Sequence, residues 1–152
     1  MREFDAVGMT LCRFQADLFA YGEEKAPCSS SSFVRSFLHS SLAKRMDSGD
    51  FYFEATDVPK AYAELASEKR LARGKKKQGR EILYWVGYLL RYWAYTEEMD
   101  SQALVKYVTP SVLFGVYEPY HGLSMAEAVE RLKENTEKQD SASIARRIYL
   151  QK

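Results

Sequence analysis

The sequence predicts an all-α fold: a single-domain bundle of about five to seven helices around a central aromatic helix covering about residues 80–97. Three observations lead there. Phe4, Val7, Leu11, Phe14, Leu18 and Tyr21 recur in steps of three and four, the spacing of one helix face. Between Tyr84 and Tyr95 the chain reads YWVGYLLRYWAY, a run that holds both tryptophans of the protein. Capping residues precede most apolar stretches, and no alternation of apolar and polar residues is long enough to mark a sheet.

Each helix has its own signals. The heptad-like face predicts a first helix over residues 3–21, ending at Gly22. Pro27 and the run Ser29 to Ser32 form a loop that supplies an N-cap. A second helix then carries Phe33, Val34, Phe37, Leu38 and Leu42 and stops near Ser48-Gly49. The short segment Asp50 to Ala55 alternates loosely and reads as extended. Thr56 or Asp57 caps a third helix with Val58, Tyr62 and Leu65, its Pro59 tolerated in the first turn.

A basic loop leads into the aromatic helix. Asp100-Ser101 opens a short helix with Leu104, Tyr107 and Val108. Thr109-Pro110 opens another with Leu113, Val116 and Tyr117, halted by Pro119. Ser124-Met-Ala-Glu127 is a capping box that starts a helix through Val129 and Leu132. Residues 139–152 form a frayed tail or one more turn.

Composition narrows the function classes. The chain is 46% hydrophobic and 28% charged, which argues against disorder. A formal net charge of +1 creates no global field that would draw in nucleic acid or an anionic membrane. No apolar run approaches the ~20 residues of a membrane span, and MREFDAVGMT lacks a signal peptide's apolar stretch. The expectation is a soluble cytoplasmic protein. Cys12 and Cys28 are too few for a disulfide framework or a zinc site, so no metal and no cofactor is expected.

Four candidate sites stand out. With about 3.6 residues per turn, Ile82, Val86, Leu89 and Trp93 fall on one face of the aromatic helix, and Tyr84, Tyr88, Arg91 and Tyr95 on the opposite one. Tyr and Arg are the residue types that dominate protein contacts, so this second face is the leading partner-binding candidate, with Tyr120 and His121 at its edge. Gly87 on the same helix lets another backbone approach. The alternative is a central helix with buried, satisfied tyrosines.

The second candidate is the basic stretch Lys69, Arg70, Arg73, Lys75, Lys76, Lys77 and Arg80. Clustered cations of this kind contact the phosphates of RNA or DNA. Arg73, Lys75, Lys76, Lys77 and Arg80 are therefore the alternative site, that of an RNA- or DNA-binding protein or a nuclease using the basic loop 69–80, set against a solvated, mobile loop. GKKKQGR has the wrong glycine spacing for a P-loop, and no Ser or Thr follows a Gly-Lys pair.

The third and fourth candidates are the two histidines. Arg35 and His39 resemble the Arg-to-His motif of the HEPN ribonucleases, but the interval is one residue short, which favours a surface pair. His121, beside Glu118 and Tyr120, could act as a base with Arg91, or bond its ring to backbone at a turn. No convergent acid, base or metal set accompanies it, so no catalytic residue is assigned and the balance leans away from an enzyme.

From Glu81 the chain reads EILYWVGYLLRYWAY. Ser101, Lys106-Tyr107, Tyr117-Glu-Pro-Tyr-His121 and Ala126-Glu-Ala-Val-Glu-Arg-Leu132 follow. Together with Phe33-Val-Arg-Ser-Phe37, this resembles a family of small uncharacterised helical bacterial proteins found near toxin–antitoxin-like genes. The resemblance covers roughly two thirds of the chain. It implies a bacterial origin and a protein partner encoded nearby, and it transfers no catalytic residue. The resulting expectation is a non-enzymatic interaction module, the neutralising or accessory component of a toxin–antitoxin-like system. The first helix's heptad suits an internal seam or a homo-oligomer equally well.

Overall fold

The computed structural model describes residues 1–51 and 56–150, with side chains described up to residue 138. The secondary structure of the described residues is all helical, with no strand among them, and their nine helical elements exceed the five to seven expected. In order they are α1 (Ala6–Lys25), α2 (Ser30–Leu38), α3 (Ser41–Ser48), α4 (Val58–Glu68) and α5 (Arg80–Thr96). A 3-10 helix (Ser101–Lys106), α6 (Pro110–Gly115), α7 (Tyr117–Tyr120) and α8 (Met125–Leu150) follow. Residues 52–55, most of the segment read as extended, lie outside the described residues, as do residues 151 and 152 of the tail. No described helix is long and apolar enough to cross a membrane.

Helix ends follow side-chain chemistry that the sequence signals only in part. Asp5 caps α1 by accepting from the Gly8 N–H at 2.9 Å. The helix then passes straight through Gly22 and stops only at Ala26, which the following Pro27 forces into an extended conformation. Gly22 is a packing residue, not a terminator: a Cβ there would collide with the ring of Phe33.

The predicted second helix is two helices. The Ser40 hydroxyl donates to Phe37 O at 2.6 Å and accepts from the Ala43 N–H at 3.1 Å, which ends α2 and caps α3 in one side chain. Gly49 closes α3 with φ +84, the left-handed conformation that favours glycine. Asp57 caps α4 and Thr109 caps α6 as expected. Pro119 does not halt α6. It sits in the first turn of α7, where its missing N–H costs nothing. Ser124 caps the last helix at the Glu127 N–H, and that helix runs far beyond Leu132, to Leu150.

The core lies mainly between α1 and α5. Leu18, Phe19, Leu83, Leu89 and Trp93 are wholly buried there, joined by Phe33 and Phe37 of α2 and Leu65 of α4. Phe19 meets Phe33 and Phe37 edge to face, with ring centroids 5.4 and 5.0 Å apart. The buried stripe of α1 is Gly8, Leu11, Cys12, Gln15, Leu18, Phe19 and Gly22, offset from the heptad read in the sequence, and Val7 is exposed. On α5 a Cβ at Gly87 would stand 2.9 Å from Gln15 O and 2.8 Å from Phe19 Cγ, so glycine there permits the close approach of α1.

Candidate functional site

The side chains of α5 divide into an inward set and an outward set, and the boundary is not the one expected. Arg91 and Tyr95, predicted on an open contact face, are buried at 1% and 6% exposure. Arg91 donates from Nε to Gln15 Oε1 at 2.8 Å and from Nη2 to Ser101 Oγ at 3.0 Å, and pairs through Nη1 with Asp47 Oδ1 at 2.6 Å. Asp47 also accepts from the Ser101 N–H (2.8 Å) and hydroxyl (2.7 Å), while Gln15 donates to Gly87 O at 3.0 Å. Burial pulls the Arg91 pKa below its usual value and the Asp47 carboxylate pushes it back. This is a satisfied polar knot that ties α1, α3, α5 and the 3-10 helix together. It leaves no part of Arg91 for a partner.

Tyr95 is covered by the N-terminal segment. Its hydroxyl donates to Asp5 Oδ1 at 2.5 Å, its ring lies against Gly8, and the Arg2 guanidinium sits 4.1 Å from the ring centroid. Burial raises the Tyr95 pKa, and the bond to Asp5 adds to the shift. The same bond holds the Asp5 carboxyl below its usual value.

The outward set lines a groove of about 640 Å³ between α5, α7 and the start of α8. Tyr84, 40% exposed, and half-buried Tyr88 form one wall, and burial raises the Tyr88 pKa. Trp85 lies beneath, and its Nε1 is buried with no hydrogen-bond partner among the described residues. Opposite, Tyr117 meets Trp85 edge to face at 5.7 Å and stacks on His121 at 4.4 Å with the rings 9° apart. Met125 completes the apolar lining, and Arg80 and Glu81 supply its charges. His121 Nδ1 lies 2.8 Å from Tyr117 O and 3.1 Å from Glu118 O. A carbonyl only accepts, so Nδ1 is the donor in both contacts.

The groove therefore brings together Tyr84, Tyr88 and His121 from the predicted set and leaves out Arg91, Tyr95 and Tyr120. Tyr120 accepts from Asn135 Nδ2 at 3.1 Å and borders a separate depression beside Arg131. The convergence of His121, Tyr120 and Arg91 that an enzyme reading requires does not occur. Trp85, Tyr117 and Met125 line the groove without standing out in the sequence as candidates. The i, i+4 spacing of Tyr117 and His121 was the available signal.

The basic stretch is a pinned strap. The Gly74 N–H donates to Pro27 O and Lys76 O accepts from the Ser30 N–H, both at 3.0 Å. The Gln78 N–H donates to Ser30 Oγ at 2.9 Å, and the Gly79 N–H to Glu23 Oε2 at 2.5 Å. Lys77 donates to Ala26 O at 2.8 Å, where the C-terminal end of α1 favours a cation, and Arg80 pairs with Glu24 at 2.7 Å. Arg73, Lys75 and Lys76 are left exposed, with no ion pair among the described residues.

The other candidates are quiet. Arg35 and His39 are exposed at the end of α2. Cys12 and Cys28 are free and buried, and burial pushes the Cys12 thiol up to about 12. No group of His, Cys, Asp and Glu side chains suited to a metal occurs among the described residues. The chain matches no protein-family model, no curated protein and no solved structure.

Proposed function

We propose that this protein is a helical protein-interaction module that holds a short segment of a protein partner in the groove between α5, α7 and α8. One observation carries the reading: the rings of Tyr84, Trp85, Tyr88 and Tyr117 converge with Met125 on one concave surface of about 640 Å³. Rigid aromatic side chains on packed helices are the groups that anchor a partner at low entropic cost. In this reading the chain is one domain organised around α5, and the module is not an enzyme. A bacterial setting and a neutralising or accessory role in a toxin–antitoxin-like system are the specific form that the sequence resemblance supports, and the reading places the protein in the cytoplasm on its composition.

The test is co-purification of the tagged chain from its host beside the Tyr84→Ala variant. The expected outcome is one stoichiometric partner, bound at least tenfold more weakly by the variant while its thermal midpoint stays unchanged. Equal capture by both forms would refute the groove as the contact.

Arg73, Lys75 and Lys76, exposed and with no ion pair among the described residues, support a second reading, nucleic-acid binding along the strap. Lys77 and Arg80 of the predicted set already hold partners within the chain. This reading requires affinity that falls steeply with salt and disappears on neutralising those three cations. Salt-insensitive or absent binding removes it.

A further inference from the structure

The groove and the N-terminal segment lie on the same aromatic flank of α5 and share Tyr88. Residues 2–4 show how that flank is read. Arg2 donates its backbone N–H to Thr96 O at 2.6 Å and lays its guanidinium over the Tyr95 ring. Two residues on, Phe4 stands edge-on to Tyr88, Tyr92 and Tyr95, with centroids 6.5, 4.8 and 6.5 Å away. A short Arg-x-Phe segment outside any helix thus covers the C-terminal half of the flank, using one cation–π contact and one aromatic anchor.

The N-terminal half, where Tyr84 and Tyr88 face Tyr117 and His121, carries no such cover among the described residues. The groove's own lining carries two charges, Arg80 and Glu81, and the exposed Arg13 of α1 acts on the Tyr88 hydroxyl from outside it. Arg80, the cation at the lip, is already paired with Glu24. Glu81, one turn before Tyr84 and Trp85, is exposed and has no ion pair among the described residues. Tyrosine faces present the negative part of the ring quadrupole, so rings and carboxylate together favour a positive guest.

Resting on the binding-module reading, we propose that the groove takes an extended partner segment of Arg-x-aromatic type. The partner guanidinium stacks on Tyr84 and Tyr88 with Glu81 as its counter-ion, and the partner aromatic ring packs against Tyr117 and Met125. The chain's own Arg2-Glu3-Phe4 is the intramolecular version of the same recognition on the adjoining half of the flank.

The probes are three end-capped peptides, Ala-Arg-Ala-Phe-Ala, Ala-Leu-Ala-Phe-Ala and Ala-Glu-Ala-Phe-Ala, titrated into the full chain labelled with ¹⁵N. The readout is the pair of indole N–H resonances: Trp85 lines the groove, and wholly buried Trp93 does not. The arginine peptide is expected to shift Trp85 saturably and leave Trp93 still. Binding should weaken about tenfold with the glutamate peptide and about tenfold again in the Glu81→Gln protein, whose change is on an exposed side chain. If the leucine peptide binds as well as the arginine peptide and Glu81→Gln is silent, the cation preference is wrong and the groove remains a docking site. If no peptide shifts Trp85, the proposal and the groove reading fall together.

Discussion

Arg91 is the residue whose role the structure changes most. Read on a helical wheel it is an exposed hot spot, yet it is one of the most buried side chains in the protein and every contact it makes is internal. Removing one member of a buried ion pair strands the other, at a cost of about 3–5 kcal/mol. Arg91→Leu is expected to lose stability in that range in urea denaturation. Arg91→Lys should recover only part of it, because an ammonium cannot reach Gln15, Asp47 and Ser101 with the planar geometry of a guanidinium. A loss under about 1 kcal/mol would show that the knot is not structural.

Asp5 and Tyr95 make a second prediction, in pH. The Asp5 pKa is lowered in the folded chain, first by the Tyr95 hydroxyl and next by the Gly8 N–H. A lowered carboxyl contributes stability that is present above its unfolded value of about 3.9 and lost as pH falls through the folded value. The stability gap between the wild type and Asp5→Asn should therefore be full at neutral pH and close on acidification below that window. A gap constant down to strong acid would refute the assignment.

Among the elements, capping chemistry was legible and contact geometry was not. Asp57, Thr109 and Ser124 announce their helices by residue type, and the structure uses each of them. Ser40 was invisible because a serine inside a helix-length apolar pattern looks like a tolerated surface residue. Only its pair of hydrogen bonds, donated to Phe37 O and accepted from the Ala43 N–H, breaks the helix. The α1 stripe was misplaced for a related reason. An apolar pattern ignores glycine and glutamine, and Gly8, Gln15 and Gly22 are buried members of that stripe.

Gly87 gives the test at this scale. Alanine there has better helix propensity by about 1 kcal/mol, but its methyl meets the Gln15 carbonyl and the Phe19 side chain close to its backbone attachment. Overpacking of that kind costs about 1–3 kcal/mol, so Gly87→Ala is expected to destabilise. Gly115→Ala, with nothing within 4 Å of the new methyl, should be neutral or slightly stabilising. Equal urea midpoints for the two variants would contradict the close approach of α1 and α5.

For the whole molecule, the helical class followed from periodicity and caps, but the site depended on which ends of separate helices meet. Tyr84 and Tyr88 were named from the sequence because α5 presents them at i, i+4. Their opposite wall, Tyr117 and Met125, lies on other helices; the i, i+4 spacing of Tyr117 and His121 hints at it, but no pattern within α5 points to it. Arg91 and Tyr95 were drawn into the same set because spacing alone cannot tell a tyrosine that faces solvent from one that bonds to Asp5.

The strap has a consequence for how the chain meets proteases. Residues 69–80 are crowded with the Lys and Arg side chains that trypsin prefers, and they belong to no helix until Arg80. A protease needs a segment it can draw out into its cleft. Here the backbone of Gly74, Lys76, Gln78 and Gly79 is held by Pro27, Ser30 and Glu23. Cleavage after Lys75, Lys76 or Lys77 in the native chain must therefore wait for the strap to lift away from α1 and α2. Ser30→Ala, which deletes the hydroxyl that Gln78 and Glu23 share, should raise the trypsin rate at these sites well above that of the wild type.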